Sequence, residues 1–320
     1  MAHVQCQNRL HRRRVSSLWC RTLVSSAIAA LFFIGSASAA PQDLLQSAMI
    51  GGRLRQWLVH LPSGYQAGWP VPLVVAFHGH GSSAEKMARL TRLDAVADKL
   101  GFIVVYAQGV DRSWAAGVDS PADQVGVDDV AFAGALLDHL ERDYSINTAR
   151  VVFTGFSNGA HLVQRLGCRM AARLYAIVPV SGALASPLRS QCHPSRPLTV
   201  VEFHGTTDPI DPYAGGHIGL LSGGGAVLPV AVTMTDWADW DGCATMPRTN
   251  DDTTVGAIRL DRIDWADCRD GVRVTLFRID GGGHTWPGGP QYLPKFLIGN
   301  ATHVIDASDV IVAIAVGRWH

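Results

Sequence analysis

Ser157 stands in the stretch Gly155-Phe156-Ser157-Asn158-Gly159, where the apolar run RVVFT gives way to a segment with Leu162, Val163 and Leu166 at helical spacing. An ordinary turn needs one glycine and a helix cap needs none. A sharp strand-to-helix turn uses both, because it crowds the backbone while holding the serine hydroxyl out above a sheet, with the next residue's N–H aimed into the same space. A serine hydroxyl is a weak nucleophile and requires a base that a third group orients. Two later segments supply such groups. TVVEFHGTTDPIDPY places Asp208 after an apolar strand, and VTLFRIDGGGHTWPGG places His284 after another, behind three glycines that let the loop curl inward. Asp211, in the same loop as Asp208, is the rival acid; Asp208 is preferred because it lies closer to the strand end. In these roles His284 takes the Ser157 proton and returns it to the leaving alcohol, while Asp208 fixes the imidazole tautomer and stabilises the imidazolium.

The tetrahedral intermediate of such a reaction carries a negative charge that needs donors. The N–H of Asn158 is one candidate. The N–H of His80 in AFHGHGSS is the other, with Gly79 letting that loop approach. His78 and His80 have the alternation of a metal-binding pair, but no carboxylate or third histidine clusters near them, and the chemistry needs neither a metal nor an organic cofactor. Trp114 and Trp286 fall in loops at the same edge and are read as stacking surfaces for substrate. Asp128 and Asp129 read as charges at a helix start, whereas His161, His204 and His217 show no partner pattern.

These residues need a scaffold that brings strand ends together. PLVVAFHG, FIVVYAQG, ARVVFTG, YAIVPVSG, LTVVEFHG and VRVTLFRID are short apolar runs, most of them followed by helical patterns such as AEKMARLTRLDAVADKLG and DDVAFAGALLDHLERDY. Repeated strand–helix units imply a mostly parallel sheet with helices on both faces, and in such sheets ligands gather beyond the carboxyl ends of the strands. RQWLVHLP is expected as an antiparallel edge, and the glycine-rich stretch from Pro212 to Pro229 as an excursion above the sheet. The order Ser, Asp, His matches the α/β-hydrolase fold, here as a single domain over residues 40–320.

The chain has 27 basic and 27 acidic residues, but five arginines and no acid fall in residues 1–39. That segment runs from HRRRVSSLWCR through an apolar stretch to SASAA, the pattern of an export signal cleaved after Ala39. The rest has 22 basic groups against 27 acidic ones, which is no footprint for nucleic acid. Export, with a periplasmic or extracellular and bacterial setting and no lasting membrane insertion, makes the remaining cysteines disulfide candidates. Cys168, Cys192, Cys243 and Cys268 allow three pairings, of which Cys168–Cys192 with Cys243–Cys268 closes the shortest loops.

HGHGSS, SWAAGV, VDDVAF, GFSNGA, PVSGAL, HGTTDPIDPYAGG and GGGHTWPGG occur in this order between about Gly51 and Asp309. Together they resemble the poly(3-hydroxybutyrate) depolymerase-like esterases, relatives of the feruloyl and acetylxylan esterases of carbohydrate esterase family 1. The resemblance implies the same triad and implies ester substrates, either hydroxyalkanoate oligomers or hydroxycinnamoyl and acetyl esters. It also matches the family's cysteines at Cys168 and Cys243. The ending VIVAIAVGRWH departs from the family's aromatic-rich one, which puts the last helix in doubt. Only 36 residues follow His284, too few for a polymer-binding module, so soluble oligomers or small esters are the expected substrates. A peptidase on this fold would need a gating domain. A non-catalytic binding protein is the alternative of another class, and the complete triad argues against it.

Overall fold

Residues along the central strands alternate between two apolar cores, and this alternation sets the architecture. Leu73, Val75 and Phe77 point into one core while Val74 and Ala76 point into the other, all fully buried. A strand buried on both faces needs a layer on each side. The computed structural model describes residues 40–219, 224–244 and 246–319. The expected export segment 1–39 and its cleavage site lie outside these residues.

Two strands open the described chain, β1 (Gln42–Ile50) and β2 (Arg53–Leu61), followed by β3 (Val71–Phe77). Helices α1 (Ala84–Thr91) and α2 (Leu93–Leu100) lead to β4 (Ile103–Gln108), and α3 (Pro121–Gln124) and α4 (Asp129–Asp143) lead to β5 (Ile146–Phe156). Then come α5 (Asn158–Met170), β6 (Ala176–Val180) and β7 (Thr199–Gly205), and a short pair, β8 (Gly216–His217) and β9 (Ala226–Val227). Helix α6 (Val230–Trp240) precedes β10 (Arg248–Val255), β11 (Ile258–Trp265) and β12 (Val274–Asp280), and the chain closes with α7 (Lys295–Ile298) and α8 (Ala307–Ala315).

The ten-stranded sheet has the order β1-β2-β4-β3-β5-β6-β7-β12-β11-β10. Its six central strands, β4 to β12 in that order, are parallel, and antiparallel pairs extend both ends. Leu136, Leu140, Leu162, Leu166, Met234 and Trp237 carry α4, α5 and α6 into one core. Met87, Leu93, Ala97 and Ile311 carry α1, α2 and α8 into the other. Each such buried side chain contributes about 1.5–3 kcal/mol against exposure, so the two layers hold the strand ends that carry the site.

Several elements differ from the sequence reading. RQWLVHLP is β2, one strand in from the edge; the edge itself is β1, whose half-exposed alternation resembles no buried strand. The charged β10–β11 hairpin forms the other margin. The helix expected over AEKMARLTRLDAVADKLG is two helices, broken at Arg92 (φ 55°, ψ 27°). The last helix, in doubt from its sequence, forms as α8 on an Asp306 cap whose carboxylate accepts the Ser308 N–H. Cys168 is bonded to Cys192 and Cys243 to Cys268, tying the end of α5 to the segment after β6 and the end of α6 to the segment after β11. Among the described residues no helix is long and apolar enough to cross a membrane.

Candidate active site

The turn at Ser157 is strained and held from both sides. Strand β5 ends at Phe156 and α5 begins at Asn158, leaving Ser157 at φ 57° and ψ −122°, a region that costs a non-glycine residue about 1–3 kcal/mol. Its N–H donates to the carbonyl of Val180 on β6 (3.0 Å), and its own carbonyl accepts the N–H groups of Ala160 (2.7 Å) and His161 (3.0 Å). The flanking glycines are required by space. A Cβ on Gly155 would run into the carbonyl of Gly159, and one on Gly159 into the carbonyl of Phe77 at the end of β3. The Ser157 hydroxyl makes no hydrogen bond among the described residues. With His284, Ile210 and the loop at Gly79 it lines a cleft of about 620 Å³.

His284 arrives from the loop after β12. Its N–H donates to Ile298 (2.6 Å), and the preceding Gly283 donates to Asn300 (3.0 Å). Gly282 and Gly283 serve close packing rather than freedom of the loop, since a Cβ on Gly283 would strike the carbonyl of Ile298. The His284 ring packs on Phe156 at 4.9 Å between centroids, and the Tyr292 hydroxyl donates to the His284 carbonyl at 3.1 Å. His284 Nδ1 lies 2.7 Å from Asp208 Oδ2. The other oxygen, Oδ1, accepts the N–H groups of Ile210 and Asp211, both at 2.8 Å. Asp208 is therefore a buried carboxylate with its free oxygen aimed at the imidazole.

Behind Asp208 is a buried ionic network that the sequence reading missed. His161 Nε2 is 2.7 Å from Asp211 Oδ2, an ion pair without hydrogen-bond alignment, while its Nδ1 donates to the Ala183 carbonyl. His204 Nδ1 faces Glu202 Oε1 at 3.1 Å and its Nε2 donates to the Asp211 carbonyl at 2.9 Å; the carboxylates of Asp211 (3.7 Å) and Asp208 (3.8 Å) lie just beyond. Gln164 donates to Glu202 at 3.0 Å and receives the Trp237 indole N–H at 2.6 Å. Burial would lower the basicity of His204, but Glu202, Asp211 and Asp208 outweigh it and bring its pKa up to about 9. His161 is raised in the same way, against its burial, by Asp211. Burial pushes the Asp211 carboxyl up, yet His161 and His204 hold it below its ordinary value. The rival acid is thus no loop-surface carboxylate but the counter-ion of two buried histidines. His217 remains exposed, its ring touching the Gly224 carbonyl (3.2 Å).

The opposite side of Ser157 is built from neutral groups. A Cβ on Gly79 would sit 3.3 Å from the Ser157 Cβ, so this loop abuts the serine. His78 Nε2 accepts the Gly109 N–H (3.0 Å), which leaves Nδ1 as the donor to the Gly79 carbonyl (2.8 Å). Burial brings the pKa of His78 down to about 4, so the ring is neutral. The C=O and N–H of a trans peptide point in opposite directions; anchoring the Gly79 carbonyl on His78 turns the His80 N–H the other way. Neither the His80 nor the Asn158 N–H has a partner among the described residues. The Asn158 side chain bonds the Trp114 backbone twice, accepting its N–H (2.8 Å) and donating to its carbonyl (3.1 Å).

The two tryptophans read as substrate surfaces do not line the cleft. Trp114 is fully buried, its indole donating to the His78 carbonyl (2.8 Å) and stacking with Phe132. Trp286 is 1 % exposed and donates to Ser308 (3.0 Å) behind Phe156. Both indoles have found internal acceptors and serve as supports. Asp128 caps α4 through the Ala131 N–H (2.9 Å), but Asp129 is buried, paired with Arg55 (2.6 Å) and accepting the Ala115 N–H (2.7 Å), so it fastens the Trp114 loop.

A family model described as esterase PHB depolymerase matches residues 56–222. The putative esterase NocK of Nocardia uniformis subsp. tsuyamanensis is 29 % identical over 290 residues, covering 85 % of this chain and 82 % of that protein. Feruloyl esterase B of Piromyces equi is 27 % identical over 72 % of this chain, which spans only 42 % of that relative's length. The acetyl xylan esterase from Aspergillus awamori superposes with a TM-score of 0.55 at 14 % identity, over 77 % of this chain and 94 % of the other, a likeness of fold. A strained serine at a strand end, the α/β-hydrolase sheet and these relatives agree on a serine carboxylic ester hydrolase, and the chain belongs to the esterase PHB depolymerase family.

Proposed function

We propose that Ser157 is the nucleophile, His284 the general base and Asp208 the orienting acid of this esterase, with the N–H groups of His80 and Asn158 as the oxyanion donors. The observation that carries this reading is the 2.7 Å contact of His284 Nδ1 with a carboxylate whose other oxygen is fixed by two backbone N–H groups. Ser157 Oγ attacks the ester carbonyl while His284 Nε2 takes its proton. The oxyanion forms against the two free N–H groups, and His284 then protonates the departing alcohol. Water repeats the steps in reverse to release the acid.

The substrates are small esters. A cleft near 620 Å³ is of ordinary ligand size, and the favoured class is hydroxyalkanoate oligomers. A hydroxycinnamoyl ester is the second reading, favoured by Tyr292, which is 39 % exposed at the cleft and offers a ring to an aromatic acyl group. Export to an oxidising compartment fits the two disulfides.

Kinetics on a soluble ester test the assignment. Ser157→Ala and His284→Ala should each abolish nearly all turnover, with little further loss when combined. Asp208→Asn should lower kcat by about 10⁴-fold with KM nearly unchanged. A Ser157→Ala enzyme with near-wild-type ester hydrolysis would refute the nucleophile, and an active Asp208→Asn enzyme would refute the acid.

A further inference from the structure

The cleft beside Ser157 is chemically lopsided. One part of its wall is apolar, formed by Phe156, Ile210 and Leu293; another is the outer face of α1, which presents Lys86 and Arg89 one helical turn apart. Among the described residues no aspartate or glutamate lines the cleft. Among the described residues the Lys86 and Arg89 side chains make no hydrogen bond, and Arg89 acts on Glu85 only through space, adding to the Ser83 hydrogen bond that lowers the Glu85 pKa. Glu85, the nearest carboxylate on the same helix, is turned to Ser83, whose hydroxyl donates to it at 2.7 Å. A third cation is fastened to the loop that precedes α1: the Arg112 guanidinium donates to the carbonyls of Gly81 and Ser82, both of which line the cleft. Although residues 40–320 carry 22 basic groups against 27 acidic ones, Lys86 and Arg89 meet on the wall of this one cleft and give it a local positive field. A cleft with low-dielectric walls focuses such a field onto an entering ligand.

We infer that Lys86 and Arg89 form a carboxylate subsite, and that the substrate is a short hydroxyacid ester with a free carboxylate on its alcohol portion. The apolar wall takes the hydrocarbon part, Ser157 meets the ester carbonyl, and the anionic end rests against α1. This inference rests on the Ser157 esterase reading and narrows it from esters in general to anionic ones. It also gives the cleft a reason to favour chain ends, because an internal ester of a long polyester has no charge within reach of the helix. Arg112, already hydrogen-bonded to the loop that precedes α1, adds field without direct contact.

The test uses the 3-hydroxybutyrate dimer as its free acid and as its primary amide, with 4-nitrophenyl butyrate as a neutral control. At low ionic strength the wild-type enzyme should show a KM about five- to tenfold lower for the acid than for the amide, since an exposed ion pair is worth a few-fold each. Added salt should erode that preference. The Lys86→Gln/Arg89→Gln enzyme should lose the preference while hydrolysing 4-nitrophenyl butyrate at the wild-type rate. Equal KM values for acid and amide in the wild type, or a preference that survives the double substitution, would overturn the subsite. Cleavage of the control with neither dimer cleaved would overturn the hydroxyacid class and leave the esterase reading standing. Failure to cleave the control would overturn the esterase reading itself.

Discussion

The two flanks of Ser157 are built from opposite materials. On the side of His284 the supporting groups are acids and histidines, and they are sealed: Asp208, Asp211 and Glu202 interleave with His204 and His161, nearly all without exposure. On the side of His80 they are neutral: the uncharged imidazole of His78, the Trp114 indole and the Asn158 amide. The difference follows the charge each flank must meet. The base becomes a cation during turnover, and a nearby set of buried acids, three against two histidines, can stabilise it without solvent reorganising. The oxyanion is met by backbone dipoles, and these need only be held in place.

Removing one member of the ionic flank should have the largest effect on the fold. Asp211→Asn leaves His161 and His204 without their shared counter-ion, and breaking a buried pair in this way costs about 3–5 kcal/mol. Urea unfolding should show the loss as a lowered midpoint. Turnover of the folded fraction should fall far less, because Asp208 keeps its two backbone donors. A dead but fully stable Asp211→Asn enzyme would move the acid from Asp208 to Asp211.

Next in size is the neutral flank. His78→Gln removes the locked imidazole from the Gly79 carbonyl, and misplacing a donor by about 1 Å costs on the order of 10²-fold in rate. The loss should fall on kcat, with KM and the urea midpoint moving little. A rise in KM with kcat unchanged would sever His78 from the oxyanion loop.

The ionic flank also sets a pH dependence of stability on the alkaline side. The folded pKa of His204 is raised to about 9, above an unfolded value near 6.5. Its contribution is therefore complete below about pH 6.5 and is lost as pH rises through about 9. Unfolding midpoints measured from pH 6 to 10 should decline across that window, and His204→Gln should flatten the decline. An unchanged slope in that variant would assign the effect elsewhere. The smallest effect belongs to Trp114→Phe, which keeps the stacking but deletes the indole donor to His78, costing about 1 kcal/mol and a several-fold decrease in kcat.

The strand ends were legible because their signals are local. A glycine pair around Ser157, a carboxylate just after β7 and a histidine just after β12 each sit within a few residues of an apolar run, so placement and type can be read together. The ionic network has no such signal: His161 and Asp211 meet across 50 residues of chain, and His204 finds its carboxylates only when β7 and its loop have folded. The tryptophans failed for a different reason. An indole looks the same in a sequence whether its N–H faces substrate or, as for Trp114, a backbone carbonyl. The margins of the sheet were hidden because β1 and the β10–β11 hairpin carry the polar alternation of half-solvated strands, and nothing around Arg92 marks the break between α1 and α2.

The account stands or falls on Ser157 as an activated nucleophile in this site, and covalent labelling tests it most directly. Treatment with a fluorophosphonate ester, followed by peptide mapping, should place one phosphonyl group on the peptide containing Ser157, in step with the loss of ester hydrolysis, and His284→Ala should slow the labelling by orders of magnitude. Stoichiometric labelling of a different serine, or loss of activity with Ser157 unmodified, would contradict it.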